Sequence, residues 1–132
     1  MIVVDTTVLA YLLIPGKRTE AAEALLVADP HWAAPRLWRS ELRNVLATYV
    51  RNNLIELADA NALFGRASAL IGADEYEVDT QDVLRLAKES GCSGYDCEFI
   101  AVAEYLDVKV VTADAKLAKA FPWRARLLDS DA

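Results

Sequence analysis

Ile2-Val3-Val4-Asp5 near the start of the chain and Val108-Lys109-Val110-Val111-Thr112-Ala113-Asp114 near its end decide the fold. Each is a short run rich in β-branched residues that closes on an aspartate. Such a run, without polar alternation, fits a strand covered on both faces, the usual state of a parallel sheet between helices. The two runs predict the centre of that sheet.

Working outward, Thr6–Leu13 predicts a first helical segment stopped at Pro15-Gly16, and the Ala/Leu/Glu-rich Thr19–Ala28 a second. Trp32-Ala33-Ala34 reads as a strand, after which Pro35 opens a helix over Leu37–Arg51. Asn52-Asn53 interrupts it, and Glu56–Ile71 forms another helix ended by Gly72. Tyr76-Glu77-Val78 is a short strand, Gln81–Glu89 a helix ending near Gly91, and Tyr95–Leu106 a further helix. Val108–Val111, Ala115–Phe121 and Arg126–Leu128 complete the order as strand, helix and strand. Strands alternating with helices predict an α/β domain with a mostly parallel sheet. There is no repeat or linker, so residues 1–132 are expected to form a single domain.

Composition narrows the function. A chain of 132 residues that is 55% hydrophobic buries a core and is not disordered, and five Gly and four Pro exclude collagen-like classes. The net charge is −6, from 14 basic and 20 acidic residues. A protein that holds nucleic acid by net charge is basic, so this one would need a local patch or a bound cation. Two Cys and one His cannot form a four-ligand zinc site of the usual Cys/His kind, and Cys92 and Cys97 make no CxxC pattern; they are expected to be reduced thiols. Met1–Val4 lacks a basic flank, and the charge-free run Thr6–Gly16 falls short of the roughly 20 residues of a membrane helix. The expectation is a cytoplasmic protein with no membrane partner.

Four carboxylates stand out. Asp5 and Asp114 follow the two central strands, where an open α/β sheet binds its ligands. Both also precede helices, and helix capping accounts for each taken singly. Asp96 sits in Ser93-Gly94-Tyr95-Asp96, a capping-box pattern, one turn before Ile100 on an apolar side. Glu41 flanks the helical stripe Trp38, Leu42, Val45, Tyr49, with Arg39 and Arg43 round the other side; its i+4 neighbour is Val45, so no intrahelical ion pair is on offer, though a surface pairing with an Arg would explain it. One hypothesis covers all four: an all-oxygen site for a hard divalent cation, without which the charges repel.

These pieces, in order, resemble the PIN-domain ribonucleases of the VapC toxin type found in bacterial and archaeal toxin–antitoxin pairs. The resemblance rests on Ile2 to Leu9, Pro35 to Leu46 with Glu41, Ser93 to Ala103 with Asp96, and Val110 to Asp114, and spans essentially the whole chain. It implies a PIN-like three-layer α/β/α fold with a central, mostly parallel five-stranded sheet. It further implies Mg²⁺- or Mn²⁺-dependent cleavage of RNA, with Asp5, Glu41, Asp96 and Asp114 as the catalytic, metal-binding acids. Thr7 stands where the family often has Ser or Asn, and Thr112 fits a polar position two before the last acid; both become candidate supporting groups. The implied partners are an RNA substrate, a small antitoxin that places an Arg or a blocking segment into the acidic pocket, and a second copy of the chain in a homodimer.

Basic residues accompany the acid motifs: Lys17, Arg18, Arg36, Arg39, Arg43, Lys116, Lys119, Arg124 and Arg126. They are candidates for phosphate contacts or ordinary solvated charge. The acidic stretch Asp74, Glu75, Glu77, Asp79, Asp82 is expected to be a solvated surface, and His31 a surface or strand-edge residue. Two alternatives keep the fold: a housekeeping RNA-processing nuclease, and a non-catalytic RNA- or protein-binding module, against which all four acids are present. A phosphatase beginning with a strand-end Asp would want a second acid two residues on, where this chain has Thr7.

Overall fold

A computed structural model describes residues 1–129. Five strands, β1 (Ile2–Val4), β2 (Trp32–Pro35), β3 (Glu75–Tyr76), β4 (Val110–Thr112) and β5 (Ala125–Leu127), form one sheet in the order β3-β2-β1-β4-β5. All four strand pairings are parallel. The two apolar runs that close on aspartates are neighbours at its centre, with Val3 opposite Val110 and Val4 opposite Val111.

Alternation along these strands divides the interior into two layers. Ile2, Val4, Trp32, Ala34 and Val111 face one cluster, with Val8, Leu9, Trp38, Leu42 and Ile71. Val3, Ala33, Val110 and Ala125 face the other, with Phe99, Ile100, Val102 and Leu117. Helices α1 (Thr6–Leu13), α2 (Thr19–Ala28), α3 (Trp38–Arg51) and α4 (Leu57–Ile71) supply the first layer; α5 (Thr80–Ser90), α6 (Gly94–Leu106) and α7 (Ala115–Ala120) supply the second. This is the expected three-layer α/β/α arrangement. Cys92 and Cys97 are buried, free thiols. No helix among the described residues is long and apolar enough to cross a membrane.

Several boundaries differ from the expectation. Pro35 ends β2 rather than opening a helix; α3 starts three residues later. The third strand is Glu75–Tyr76, not Tyr76–Val78, because its partner β2 stops at Pro35, opposite Tyr76, and only the Arg36 N–H continues the ladder, to the Tyr76 carbonyl. The fourth strand begins at Val110, since α6 closes through Asp107 in a left-handed conformation (φ 55°) and the chain needs Val108 and Lys109 to return to the sheet. The buried stripe of α3 is Trp38, Leu42, Leu46, with Val45 at its edge.

The acidic stretch is not simply solvated. Glu75 is largely buried and its Oε1 accepts from Trp38 Nε1 (2.8 Å) and Arg39 Nε (2.6 Å). Asp79 caps α5 through the Gln81 N–H (2.9 Å), and Asp74 pairs with the exposed His31.

Candidate active site

The carboxyl edge of β1 and β4 delivers two of the four acids directly. Asp5 follows Val4 and caps α1, its Oδ1 accepting from the Val8 N–H at 2.9 Å. Asp114 lies two residues past β4 and caps α7, its Oδ1 accepting from the Lys116 and Leu117 N–H groups at 2.9 and 3.4 Å. The capping account of both is therefore correct, and it does not remove them from the site. Asp5 Oδ2 accepts from the Thr112 hydroxyl and, at 3.2 Å, from the Ala113 N–H. Thr112, fully buried, in turn accepts from the Asp114 N–H at 3.0 Å, so one hydroxyl links the two aspartates.

The other two acids come from the first turns of α3 and α6. Glu41 pairs with neither Arg39 nor Arg43; its Oε1 accepts a 2.7 Å hydrogen bond from Thr6, a buried residue at the start of α1. At α6 it is Ser93 that caps, its Oγ accepting from the Asp96 N–H at 3.1 Å. Among the described residues no donor reaches the Asp96 carboxylate, and it faces an open cleft.

That cleft has a volume of about 590 Å³, and Asp5, Glu41, Asp96 and Asp114 all line it. Its wall carries no lysine or arginine. Burial pushes the Asp5 carboxyl above the usual aspartate range; the bonds from Thr112, Val8 and Ala113 pull it back, and the charge of Asp114 adds to the rise. Burial likewise raises Glu41, opposed by the Thr6 bond and reinforced by the charges of Asp96, Asp5 and Glu98. The four acids thus form one electrostatic neighbourhood.

Thr7 lines the cleft but is exposed, without a hydrogen bond to any of the acids among the described residues; the supporting bond to Glu41 comes from Thr6. Ser40, Asn44 and Tyr95 also line the cleft and were not anticipated. Ser40 and Asn44 are four apart on the face of α3 beside Glu41, a helical spacing that could have revealed them. Glu98 is a fifth acid nearby, in a recess with Arg36, Arg39 and Arg43.

The donor chemistry suits a hard cation: four carboxylates, with no thiol or imidazole among them. Among the described residues no three acidic, His or Cys side chains are already drawn close enough to clasp an ion, so binding would need side-chain movement. Asp96, with no hydrogen bond to break, is placed for that.

The match to the PIN domain runs over residues 2–121, from the first strand to just beyond α7, and the chain belongs to that family. Ribonuclease VapC3 of Pyrobaculum aerophilum is a curated relative, 28% identical over 124 residues that cover 92% of this chain and 95% of the relative. Among solved structures, PAE2754 of Pyrobaculum aerophilum has a TM-score of 0.74 at 22% identity, covering 96% of this chain and 90% of that one. FitAcB of Neisseria gonorrhoeae has a TM-score of 0.74 at 19% identity, covering 95% and 96%. FitAB bound to an IR36 DNA fragment gives 0.75 at 18%, covering 97% and 95%. These structural likenesses show the fold.

Proposed function

We propose that this chain is an endoribonuclease that hydrolyses RNA phosphodiester bonds with Mg²⁺ or Mn²⁺, and that it is the toxin of a toxin–antitoxin pair. One observation carries the reading: Asp5, Glu41, Asp96 and Asp114, from four separate segments, line one cleft. The similarity to ribonuclease VapC3 supports the substrate, and the acid set argues against a non-catalytic module.

Asp5, Glu41, Asp96 and Asp114 would hold the cation, with Thr112 supporting Asp5 and Thr7 at the rim. When bound, a divalent ion supplies Lewis acidity toward phosphate oxygens and lowers the pKa of water. The chain's own part is positioning. Thr112 and the Ala113 N–H fix one oxygen of Asp5, and Thr6 fixes one oxygen of Glu41. Asp96 stays free to turn toward a ligand. The acidic cleft also suits a bidentate guanidinium, so the proposed partner is a small antitoxin that blocks it with an Arg. The remainder of the proposal is one domain over residues 1–132, a homodimer, and a cytoplasmic location.

The test is incubation with structured and unstructured RNAs in Mg²⁺, in Mn²⁺ and in EDTA. Cleavage in either metal, absent in EDTA and lost in Asp96→Asn, is expected. Cleavage that survives EDTA, or that Asp96→Asn retains, would overturn the metal-site reading.

A further inference from the structure

The acid cleft continues beyond its own walls. A second concavity of about 370 Å³ adjoins it through Thr7 and Val45, which line both, and is walled by Tyr11, Tyr49 and the turn at Pro15-Gly16-Lys17. A third, of about 290 Å³, adjoins it through Leu37 and Ser40 and holds Arg36, Arg39 and Arg43. The three lie side by side around α3 and overlap along it, the third beside Arg36 to Arg43, the acid cleft beside Leu37 to Val45 and the second beside Val45 and Tyr49. Leu37 and Ser40 lie by its start, Glu41 faces the acids, and Val45 and Tyr49 lie beyond, a span of about 18 Å at the helical rise.

Net charge is laid out along this line as basic, acidic, basic, with Glu98 sharing the recess of the three arginines. Not every cation is available. Arg39 is held by Glu75, and Arg18 pairs with Asp129 and lies over the Tyr11 ring at 5.2 Å. Lys17 and Arg43 are exposed and, among the described residues, make no ion pair; Arg43 rests its guanidinium over Phe64 at 5.1 Å. The turn that carries Lys17 is fixed in advance, because Thr19 Oγ1 accepts from the Gly16 N–H at 3.0 Å and donates to the Tyr11 carbonyl at 2.7 Å.

We propose that the three concavities form one track for a single RNA strand, with Lys17 and Arg43 gripping phosphates on either side of the acids and the exposed Tyr95 ring in the acid cleft offered to a base. A polyanion crossing a cleft whose own wall has no cation must be held by its flanking phosphates. Exposed aromatic rings beside a basic groove bind unpaired bases by stacking. The proposal rests on the ribonuclease reading of the cleft.

The experiment is fluorescence anisotropy of a labelled single-stranded RNA in EDTA over a salt series, with cleavage of the same RNA in Mg²⁺ measured in parallel. Lys17→Gln and Arg43→Gln should each weaken binding several-fold at fixed salt and reduce the salt slope by about 0.7, the double variant by about twice that. Lys88→Gln, on the exposed face of α5, should change neither. Lys17 makes no hydrogen bond or ion pair among the described residues, so its variant folds as wild type and stands alone if Arg43→Gln, which loses its place on Phe64, melts lower. Wild-type cleavage with unchanged binding by Lys17→Gln overturns the track and leaves the nuclease standing. Flank-dependent binding without cleavage supports the track and overturns the nuclease. No binding by wild type, equal weakening in Lys88→Gln, or equal binding of a blunt RNA duplex overturns the track.

Discussion

The Thr6 hydroxyl donates a 2.7 Å hydrogen bond to Glu41 Oε1, tying the first turn of α1 to the first turn of α3 across thirty-five residues of sequence. Both helices start at the cleft, and this bond fixes the glutamate's orientation there. Thr6→Val keeps the shape and deletes the donor. Metal-dependent cleavage should fall about 10- to 100-fold, as is usual when a partner of a metal-binding side chain is lost, with Thr6→Ser restoring most of it. Steady-state kinetics should place the loss in kcat more than in KM. Wild-type rates in Thr6→Val would show the bond to be idle.

On the proposed ribonuclease reading, Asp96→Asn is expected to be the clean inactivating substitution. Its side chain caps nothing and its charge adds to the repulsion on Glu41, so cleavage should be abolished with the melting temperature in EDTA unchanged or slightly raised. Asp5→Asn should also abolish cleavage but melt lower than Asp96→Asn. Three donors converge on the two oxygens of Asp5, and an amide NH₂ in place of one oxygen faces a donor with a donor. Thermal melting of the two variants side by side decides the ranking.

Glu41 imposes a pH dependence on the metal-free protein. Burial raises its native pKa above its unfolded value, so the folded state holds the proton longer. Stability is then greatest below the ordinary glutamate pKa, falls as pH climbs from there through the raised native value, and levels off above it. Glu41→Gln keeps an acceptor for Thr6 without the charge. Urea denaturation in EDTA should show the variant gaining on wild type as pH rises through that window, and a difference independent of pH would contradict the assignment.

Asp114→Asn should melt about 1–3 °C higher than wild type in EDTA, because it relieves repulsion with Asp5 while Asn caps α7 about as well as Asp. Excess Mn²⁺ should raise wild type more than the variant. A lower melting point in EDTA together with no Mn²⁺ shift in either protein would make Asp114 a cap alone.

Glu75→Ala removes the acceptor of the buried Trp38 indole and the partner of Arg39. It should cost about 1–3 kcal/mol in urea denaturation, with Glu75→Gln costing less. A loss below about 0.5 kcal/mol would return Glu75 to the solvated surface.

The architecture was legible because β1 and β4 are short, β-branched and closed by aspartates, and because proline, glycine and asparagine punctuate the helices. What stayed illegible was pairwise and distant. Nothing in Asp74-Glu75-Glu77 shows that Glu75 turns inward to Trp38, thirty-seven residues away. Thr6 and Thr7 look equivalent in sequence, yet successive helical residues diverge by about 100°, which sends Thr6 inward to Glu41 and leaves Thr7 at the rim. The capping box expected at Ser93–Asp96 forms only by half: Ser93 Oγ accepts from the Asp96 N–H as that pattern predicts, while the Asp96 carboxylate makes no return bond and is left free.

The brevity of β1 has a consequence for how this chain tolerates changes in length. Three residues serve both interior layers in strict alternation, and the next is Asp5. A single residue inserted between Val4 and Asp5, or between Val111 and Asp114, would shift the carboxylate by one residue relative to the strand it follows and part Asp5 from Thr112. The connections around Asn52–Glu56 and Gly72–Asp74, remote from the acids in the sheet order, carry no such count. Insertions and deletions should therefore be absorbed there, and the intervals from β1 to Asp5 and from β4 to Asp114 should stay invariant in length.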